Sequence, residues 1–105
     1  MMNTTVIQKD ALQRIKAIHK LSEGYNRTLS TDHSLKLIEL IKEHAQEIQQ
    51  LHKECNGHYL TETGDLVMLC FELLLEKQAS IDEIMNKCFK RSETKLSRLL
   101  QEVAE

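Results

Sequence analysis

The stretch ETGDLVMLCFELLL, from Glu62 to Leu75, decides the fold class of this 105-residue chain. After its two acids, the run is apolar on nearly every side of a helix, so it must be covered on every side. Three other helices of one short chain would struggle to cover it. The stretch therefore predicts a helical core that is shared with a partner subunit. It also carries two carboxylates, Glu62 and Asp65, into the first turns of that helix.

Composition supports an all-α fold for the whole chain. The sequence has no proline, three glycines and 4% aromatic residues, and the residues that dominate it (Leu, Ile, Lys, Glu and Gln) are good helix formers. No segment shows the alternation of apolar and polar residues that is typical of a strand. We expect a single domain over residues 1–105, organised as an oligomeric four-helix bundle.

Charge, apolar runs and cysteine usage argue against a nucleic-acid-binding, membrane-spanning or secreted protein. The net charge of −2 and the pI of about 6.2 do not favour binding to a nucleic-acid polymer, which needs clustered positive charge. The longest apolar run, residues 66–71, is too short to span a membrane, and the N-terminus lacks a signal-peptide pattern. The three cysteines form no CxxC pair, which predicts a reduced, cytoplasmic protein.

Hydrophobic periodicity and capping signals predict four helices. The first covers about residues 5–21, and SEGYNRTLSTD then indicates a loop at residues 22–32. The second covers residues 33–55, capped by Ser30, Thr31 or Asp32, with Asn56-Gly57 as its C-terminal signal. The third covers residues 61–78. The fourth begins with a capping box in which Ser80 is the N-cap and Glu83 is the third helical residue.

Four acids stand where the second and third helices can bring them together. Glu43 and Glu47 are i,i+4 neighbours beside an apolar stripe on the second helix, and Glu62 and Asp65 are i,i+3 neighbours on the third. A short connection makes these helices antiparallel, so the four carboxylates can converge. Crowded carboxylates repel one another, and a divalent cation such as Mg²⁺ removes that cost. The alternative is that the acids form a solvated face and complement the helix dipole. The apolar stripe comprises Leu37, Ile41, His44, Ile48, Leu51 and Cys55.

The segments KEHAQEI, ETGDLV and SIDEIMNKCFKR resemble the MazG-like family of all-α nucleoside triphosphate pyrophosphohydrolases. That family carries an EExxEL motif on one helix and an EExGD motif on the next. Glu43 and Glu47 match the first and last acids of EExxEL, and Glu62 and Asp65 match the ExxD part of EExGD. His44 stands where the family has the first acid of ExxE. The resemblance covers about residues 23–91, including a weak EGY match at its start.

The resemblance implies a MazG-like bundle that hydrolyses a nucleoside triphosphate, a dNTP in a house-cleaning role, to the monophosphate and pyrophosphate. The implied cofactor is Mg²⁺, or a softer ion such as Mn²⁺, held by Glu43, Glu47, Glu62 and Asp65, with Glu47 and Glu62 also acting in catalysis. Lys87 and Arg91, i,i+4 neighbours on the fourth helix, align with basic residues that bind the phosphates. The partner implied is a second copy of the chain, in a homodimer or homotetramer.

The sequence leaves several alternatives open. His44 either replaces an acid that the reaction needs, acts as a ligand itself, or is a core histidine hydrogen-bonded to a neighbouring acid. Lys87 and Arg91 could simply form a solvated basic face. The whole chain could be a catalytically degenerate helical interaction module, or a pyrophosphohydrolase of a phosphoribosyl-nucleotide. We assign no role to the four other histidines, and we expect Glu72 and Glu76 to face solvent or an interface.

Overall fold

The computed structural model describes residues 5–104, and over this range the chain forms four α-helices and no strand. The prediction of an all-α fold is therefore confirmed. The helices are α1 (Lys9–Thr28), α2 (His33–Lys53), α3 (Tyr59–Leu75) and α4 (Ile81–Ala104). Helices α2 and α3 form the main packing unit, α1 contacts both of them, and α4 contacts α3.

The α2–α3 hairpin is defined at both ends of α2 by capping interactions. At its start, the Asp32 side chain accepts a hydrogen bond from the Leu35 N–H at 3.0 Å, which identifies the N-cap among the three predicted candidates. At its end, Cys55 takes a positive φ of 56°, and the Asn56 N–H donates to the Leu51 carbonyl at 2.9 Å. This is a Schellman ending. The predicted Asn56-Gly57 signal marks the turn, but the left-handed residue is the cysteine before it.

Helix α1 is longer than predicted, and the expected loop at residues 22–32 is wrong for most of its length. The helix continues through Gly24 to Thr28 and ends with Ser30 at a φ of 56°. A glycine inside a helix costs only about 1 kcal/mol relative to alanine. The extension is held by Asn26, which is buried and contacts His33 at the start of α2 through a 2.7 Å side-chain interaction. A tertiary contact therefore outweighs the local breaking signal.

Helix α3 contains the apolar stretch of residues 62–75, yet its one buried residue is Glu72. In the described chain, the buried apolar residues are Ile15, Leu37 and Ile81, which is a small core for four helices. Several large apolar side chains of α3 are half-covered, and Val67 is 46% exposed. The described residues thus leave much apolar surface open.

Helix α4 starts at the predicted position, and its C-terminal part projects away from the other helices. The Glu83 N–H donates to Ser80 Oγ at 3.3 Å, which is the N-cap half of the predicted capping box. The Val6 N–H donates to Asp82 Oδ1 at 2.7 Å and ties the N-terminal segment to this first turn. From Lys87 to Ala104 every residue is exposed. The radius of gyration of 16.8 Å exceeds the roughly 13 Å of a compact 100-residue domain, in agreement with this projecting helix.

Among residues 5–104, no helix is both long enough and apolar enough to cross a membrane.

Candidate functional site

The α2–α3 hairpin brings one histidine and two acids together in what we call the hairpin site: His44 on α2, and Glu62 and Asp65 on α3. Each of the three offers a ligand atom within 4.8 Å of the others. His44 Nε2 lies 3.5 Å from Glu62 Oε2, and the side chains of these two residues are 23% and 13% exposed. Asp65 is exposed, so the site is open to solvent on one side.

The hydrogen bonding of His44 determines which ring nitrogen faces the acids. His44 Nδ1 donates to the Leu40 carbonyl at 2.9 Å, because a carbonyl oxygen can only accept. In the neutral imidazole, Nε2 then carries a lone pair, and this lone pair faces a carboxylate oxygen. Two acceptors in contact require a cation between them, either a second proton on the ring or a metal ion. A backbone carbonyl that binds the other ring nitrogen is also the usual support of a metal-ligating histidine.

Glu62 is the centre of the hairpin site, since it also contacts a second histidine. His58, the N-cap residue of α3, places Nε2 at 3.3 Å from Glu62 Oε1, and its side chain is 56% exposed. Both carboxylate oxygens of Glu62 are therefore engaged by imidazoles. This explains how α3 carries Glu62 toward the core, although sequence reasoning assigned no role to His58.

The other predicted site residues lie outside this group. Glu43 and Glu47 are exposed on α2, and neither belongs to the three-residue group that could hold a metal. The residue of α2 that faces Glu62 is His44, which lies on the apolar stripe that packs against α3. Lys87 and Arg91 are exposed on the projecting part of α4. In one chain, the structure thus brings together two of the four predicted metal ligands.

A second group of potential ligands was missed by sequence reasoning. His19 and Glu23 of α1, His33 of α2 and Glu76, the C-cap residue of α3, each offer an atom within 4.8 Å of the others; we call this the three-helix site. Beside it, Glu72 is buried, so the expectation that this acid faces solvent or an interface is wrong. A usable signal existed, because two acids one turn apart on the most apolar helix need buried partners.

Comparisons with known proteins add no relative: neither a scan of family models nor searches of curated proteins and of solved structures finds a match to this chain. The resemblance to MazG-like enzymes therefore depends on its motif residues.

The donor sets of the two groups suit different ions. The hairpin site offers two carboxylates and one imidazole, and the three-helix site offers two of each. Mg²⁺ strongly prefers oxygen ligands, whereas Mn²⁺ binds to carboxylates and accepts imidazole, and zinc-class ions favour imidazole. The hairpin site therefore fits Mn²⁺ better than Mg²⁺, and the three-helix site fits a zinc-class ion.

Proposed function

We propose that the chain is a metal-dependent nucleotide pyrophosphohydrolase that cleaves a nucleoside triphosphate between its α- and β-phosphates, with the hairpin site as its metal centre. The observation that carries this proposal is the His44–Glu62 contact, in which a ring nitrogen faces a carboxylate oxygen at 3.5 Å while the other ring nitrogen donates to a backbone carbonyl. The match of Glu62 and Asp65 to the ExxD motif supports it independently. We propose Mn²⁺ as the preferred ion, with Mg²⁺ as the weaker substitute.

Each residue of the site then has a definite task. Glu62, Asp65 and His44 would hold the ion. The ion would neutralise charge on the phosphoryl oxygens and activate a water molecule. Glu47 lies one helical turn after His44 and is exposed, so its carboxylate is free to orient the attacking water or to accept its proton. Glu43 lies beside His44 and adds negative potential that attracts the cation.

The triphosphate needs positive charge that the hairpin site lacks. Lys87 and Arg91 lie on the exposed part of α4, and in one chain this part packs against neither α2 nor α3. We propose that the α4 of a second copy brings these residues to the hairpin site. The active unit is then a dimer or a higher oligomer. This arrangement would also cover apolar surface on α4 that one chain leaves exposed.

A pyrophosphate-release screen tests the proposed function. The wild type, Glu62→Gln and Glu39→Gln are each incubated with every common ribo- and deoxyribonucleoside triphosphate in the presence of Mn²⁺ or Mg²⁺. We expect release from at least one nucleotide, stronger with Mn²⁺, and its loss in Glu62→Gln. The matched control is Glu39→Gln, which removes a carboxylate that is 59% exposed on the same hairpin. Release that survives Glu62→Gln unchanged would refute the site.

One observation favours a second candidate function, a helical interaction module without catalysis. The projecting part of α4 exposes an apolar stripe that would suit a helical partner. This candidate predicts assembly without pyrophosphate release from any nucleotide. The screen above, combined with a measurement of the oligomeric state, distinguishes the two functions.

A further inference from the structure

The three-helix site joins three helices through four side chains that approach one another closely. Glu76 Oε1 is the central atom, at 3.3 Å from His19 Nε2 and 3.0 Å from His33 Nε2. Glu23 Oε2 lies 4.0 Å from His19 Nε2. In a tetrahedral zinc site with ligands at about 2.0–2.1 Å, neighbouring ligand atoms are about 3.3 Å apart. The two distances from Glu76 Oε1 are close to this separation, and all four ligand atoms lie within 4.8 Å of one another. Glu23 requires a small side-chain adjustment.

Glu76 Oε1 is a buried carboxylate oxygen without a hydrogen bond within residues 5–104. It is inaccessible to solvent and accepts no hydrogen bond among the described residues. The two histidine nitrogens are close enough for hydrogen bonds, but their directions do not give acceptable hydrogen-bond geometry. His33 Nε2 has its hydrogen-bond contact with His19 Nδ1 instead, at 3.5 Å. The ligand atoms of the cluster nevertheless all lie within 4.8 Å of one another. A buried carboxylate oxygen that accepts no hydrogen bond is costly, and a cation beside it, either a proton on a facing imidazole or a metal ion, removes the cost.

The surroundings of His19 prepare its Nε2 atom as a ligand. Its Nδ1 donates to Glu72 Oε1 at 3.3 Å, and the same oxygen accepts a hydrogen bond from Ser22 Oγ. The Glu72 side chain is only 5% exposed. A buried carboxylate that holds the outer nitrogen of a histidine is the typical support of a metal-ligating imidazole, because it fixes the tautomer and raises the basicity of the ring.

The surroundings of His33 allow the same role. Its Nδ1 lies 2.7 Å from Nδ2 of the buried Asn26, and in this amide orientation Asn26 donates to Nδ1 and the ring proton is on Nε2. Rotation of the amide by 180° puts its oxygen against the ring instead. The oxygen then accepts from Nδ1–H, and Nε2 presents a lone pair to Glu76. The two orientations fill the same space, so a bound cation selects the second.

We propose that the three-helix site binds one divalent transition-metal ion of the zinc class through His19, His33, Glu76 and Glu23. Two imidazoles exclude a preference for Mg²⁺ or Ca²⁺, which take oxygen ligands. Three of the four ligand side chains are at most 17% exposed, so the ion is enclosed rather than open to a substrate. Its role is structural, because it fixes α1 onto the α2–α3 hairpin where α1 otherwise contributes few buried apolar residues.

A Co²⁺ titration tests this site without interference from the hairpin site. The titration uses the full chain carrying Glu62→Gln, which disables the hairpin site, and follows the visible absorption of tetrahedral Co²⁺. We expect one ion per chain, displaced by Zn²⁺. A 100-fold excess of Zn²⁺ over Kd should raise the melting temperature by on the order of 10 °C. Absence of binding would mean that the cluster is only a network of paired histidines and acids, and would overturn the proposal.

A matched pair of histidine variants in the same background locates the ion. His33→Gln should weaken Co²⁺ binding at least 10-fold, whereas His52→Gln, which alters an exposed histidine of the same helix, should not change it. Equal binding by all three proteins would refute the assignment. Asn26→Asp offers a second measurement if His33→Gln folds poorly. An aspartate can only accept from Nδ1–H, so Co²⁺ affinity should be retained or raised, and a loss would contradict the proposed tautomer.

This result is separable from that of the proposed function. The Co²⁺ experiment reads binding and stability in a chain whose proposed active site is disabled, and it does not depend on hydrolysis. Pyrophosphate release could fail while Co²⁺ binding is observed, and the reverse outcome is equally visible.

Discussion

His44 Nε2 and Glu62 Oε2 face each other across the α2–α3 hairpin at 3.5 Å, while His44 Nδ1 donates to the Leu40 carbonyl. The same relationship recurs at the three-helix site, where His19 Nε2 lies 3.3 Å from Glu76 Oε1 and its Nδ1 donates to Glu72. In each case one ring nitrogen is fixed as a donor to the protein, and the other faces a carboxylate oxygen. A cation has to lie between these two groups, either a second proton on the ring or a metal ion, and we propose a metal ion at both sites.

Replacing Glu62 separates the two consequences of this arrangement. Glu62→Gln should reduce metal affinity at the hairpin site by about 10–100-fold and abolish pyrophosphate release. In chelator, the glutamine N–H can donate to His44 Nε2, so the free energy of unfolding should rise by about 1 kcal/mol. Urea denaturation with and without Mn²⁺ measures both effects. A variant that is destabilised in chelator would contradict the lone-pair assignment.

The sequence predicts the elements of this fold better than their ends. Periodicity and capping chemistry are local, so the sequence alone identifies Asp32 and Ser80 as cap candidates. The extension of α1 through Gly24 could not, because it depends on a buried contact between Asn26 and His33. Three helices end with a non-glycine residue at positive φ, so the familiar glycine signal is absent there. These residues are Ser30, Cys55 and Gln78.

The sites show the same division between local and tertiary information. Glu62 and Asp65 are one turn apart, so their proximity follows from helical spacing alone. Their third partner, His44, depends on the register of α2 against α3, which the sequence does not give to within one residue. The three-helix site requires the relative placement of α1, α2 and α3, and no spacing along the chain reveals it.

Glu72 should be a major contributor to stability, because it is a buried carboxylate that accepts hydrogen bonds from Ser22 and His19. Glu72→Leu removes the acceptor and leaves the two donors only longer contacts, Ser22 Oγ with the His19 carbonyl at 3.4 Å and His19 Nδ1 with His33 Nε2 at 3.5 Å. We therefore expect a loss of about 1–3 kcal/mol. Glu39→Leu, at an exposed position, should stay within about 0.5 kcal/mol of the wild type. Chemical denaturation of the two variants in chelator provides the comparison. Equal stabilities would show that the Glu72 contacts contribute nothing.

Cys70 should react slowly with alkylating agents despite its exposed position. Partial burial of its thiol raises the pKa of Cys70 above the usual value. The thiolate is the reactive form, so the fraction available near pH 8 is lower than in the unfolded chain. Mass-spectrometric mapping should find alkylation of Cys70 accelerated by denaturant and by higher pH. A rate at pH 8 that denaturant leaves unchanged would contradict the pKa direction.

The projecting half of α4 should mediate self-association. At 100° per residue, its apolar side chains lie within about 100° of one another and form one stripe. These side chains are Phe89, Leu96, Leu99, Leu100 and Val103, and each is at least 39% exposed. We expect the wild type to sediment as a dimer or tetramer at micromolar concentration and Leu96→Lys/Leu100→Lys to sediment as a monomer. Gln101→Lys adds a charge on the opposite face and should not change the oligomer. A monomeric wild type would eliminate this interface.

Replacing His44 by glutamate tests the point at which this chain departs from the MazG-like pattern. His44→Glu provides an oxygen ligand in place of an imidazole, so the preference for Mn²⁺ should shift toward Mg²⁺, and Mg²⁺-dependent activity should rise. In chelator the new carboxylate would face Glu62 at close range, and the repulsion should lower the melting temperature. Mg²⁺ should restore the melting temperature, because the ion neutralises both acids.

The measurement is a paired titration of Mg²⁺ and Mn²⁺ into wild type and variant, with turnover and melting temperature recorded together. His52→Glu, an equal change on the exposed surface of α2, controls for added charge. A His44→Glu variant that binds Mg²⁺ more weakly than the wild type would show that the imidazole itself is indispensable to the site.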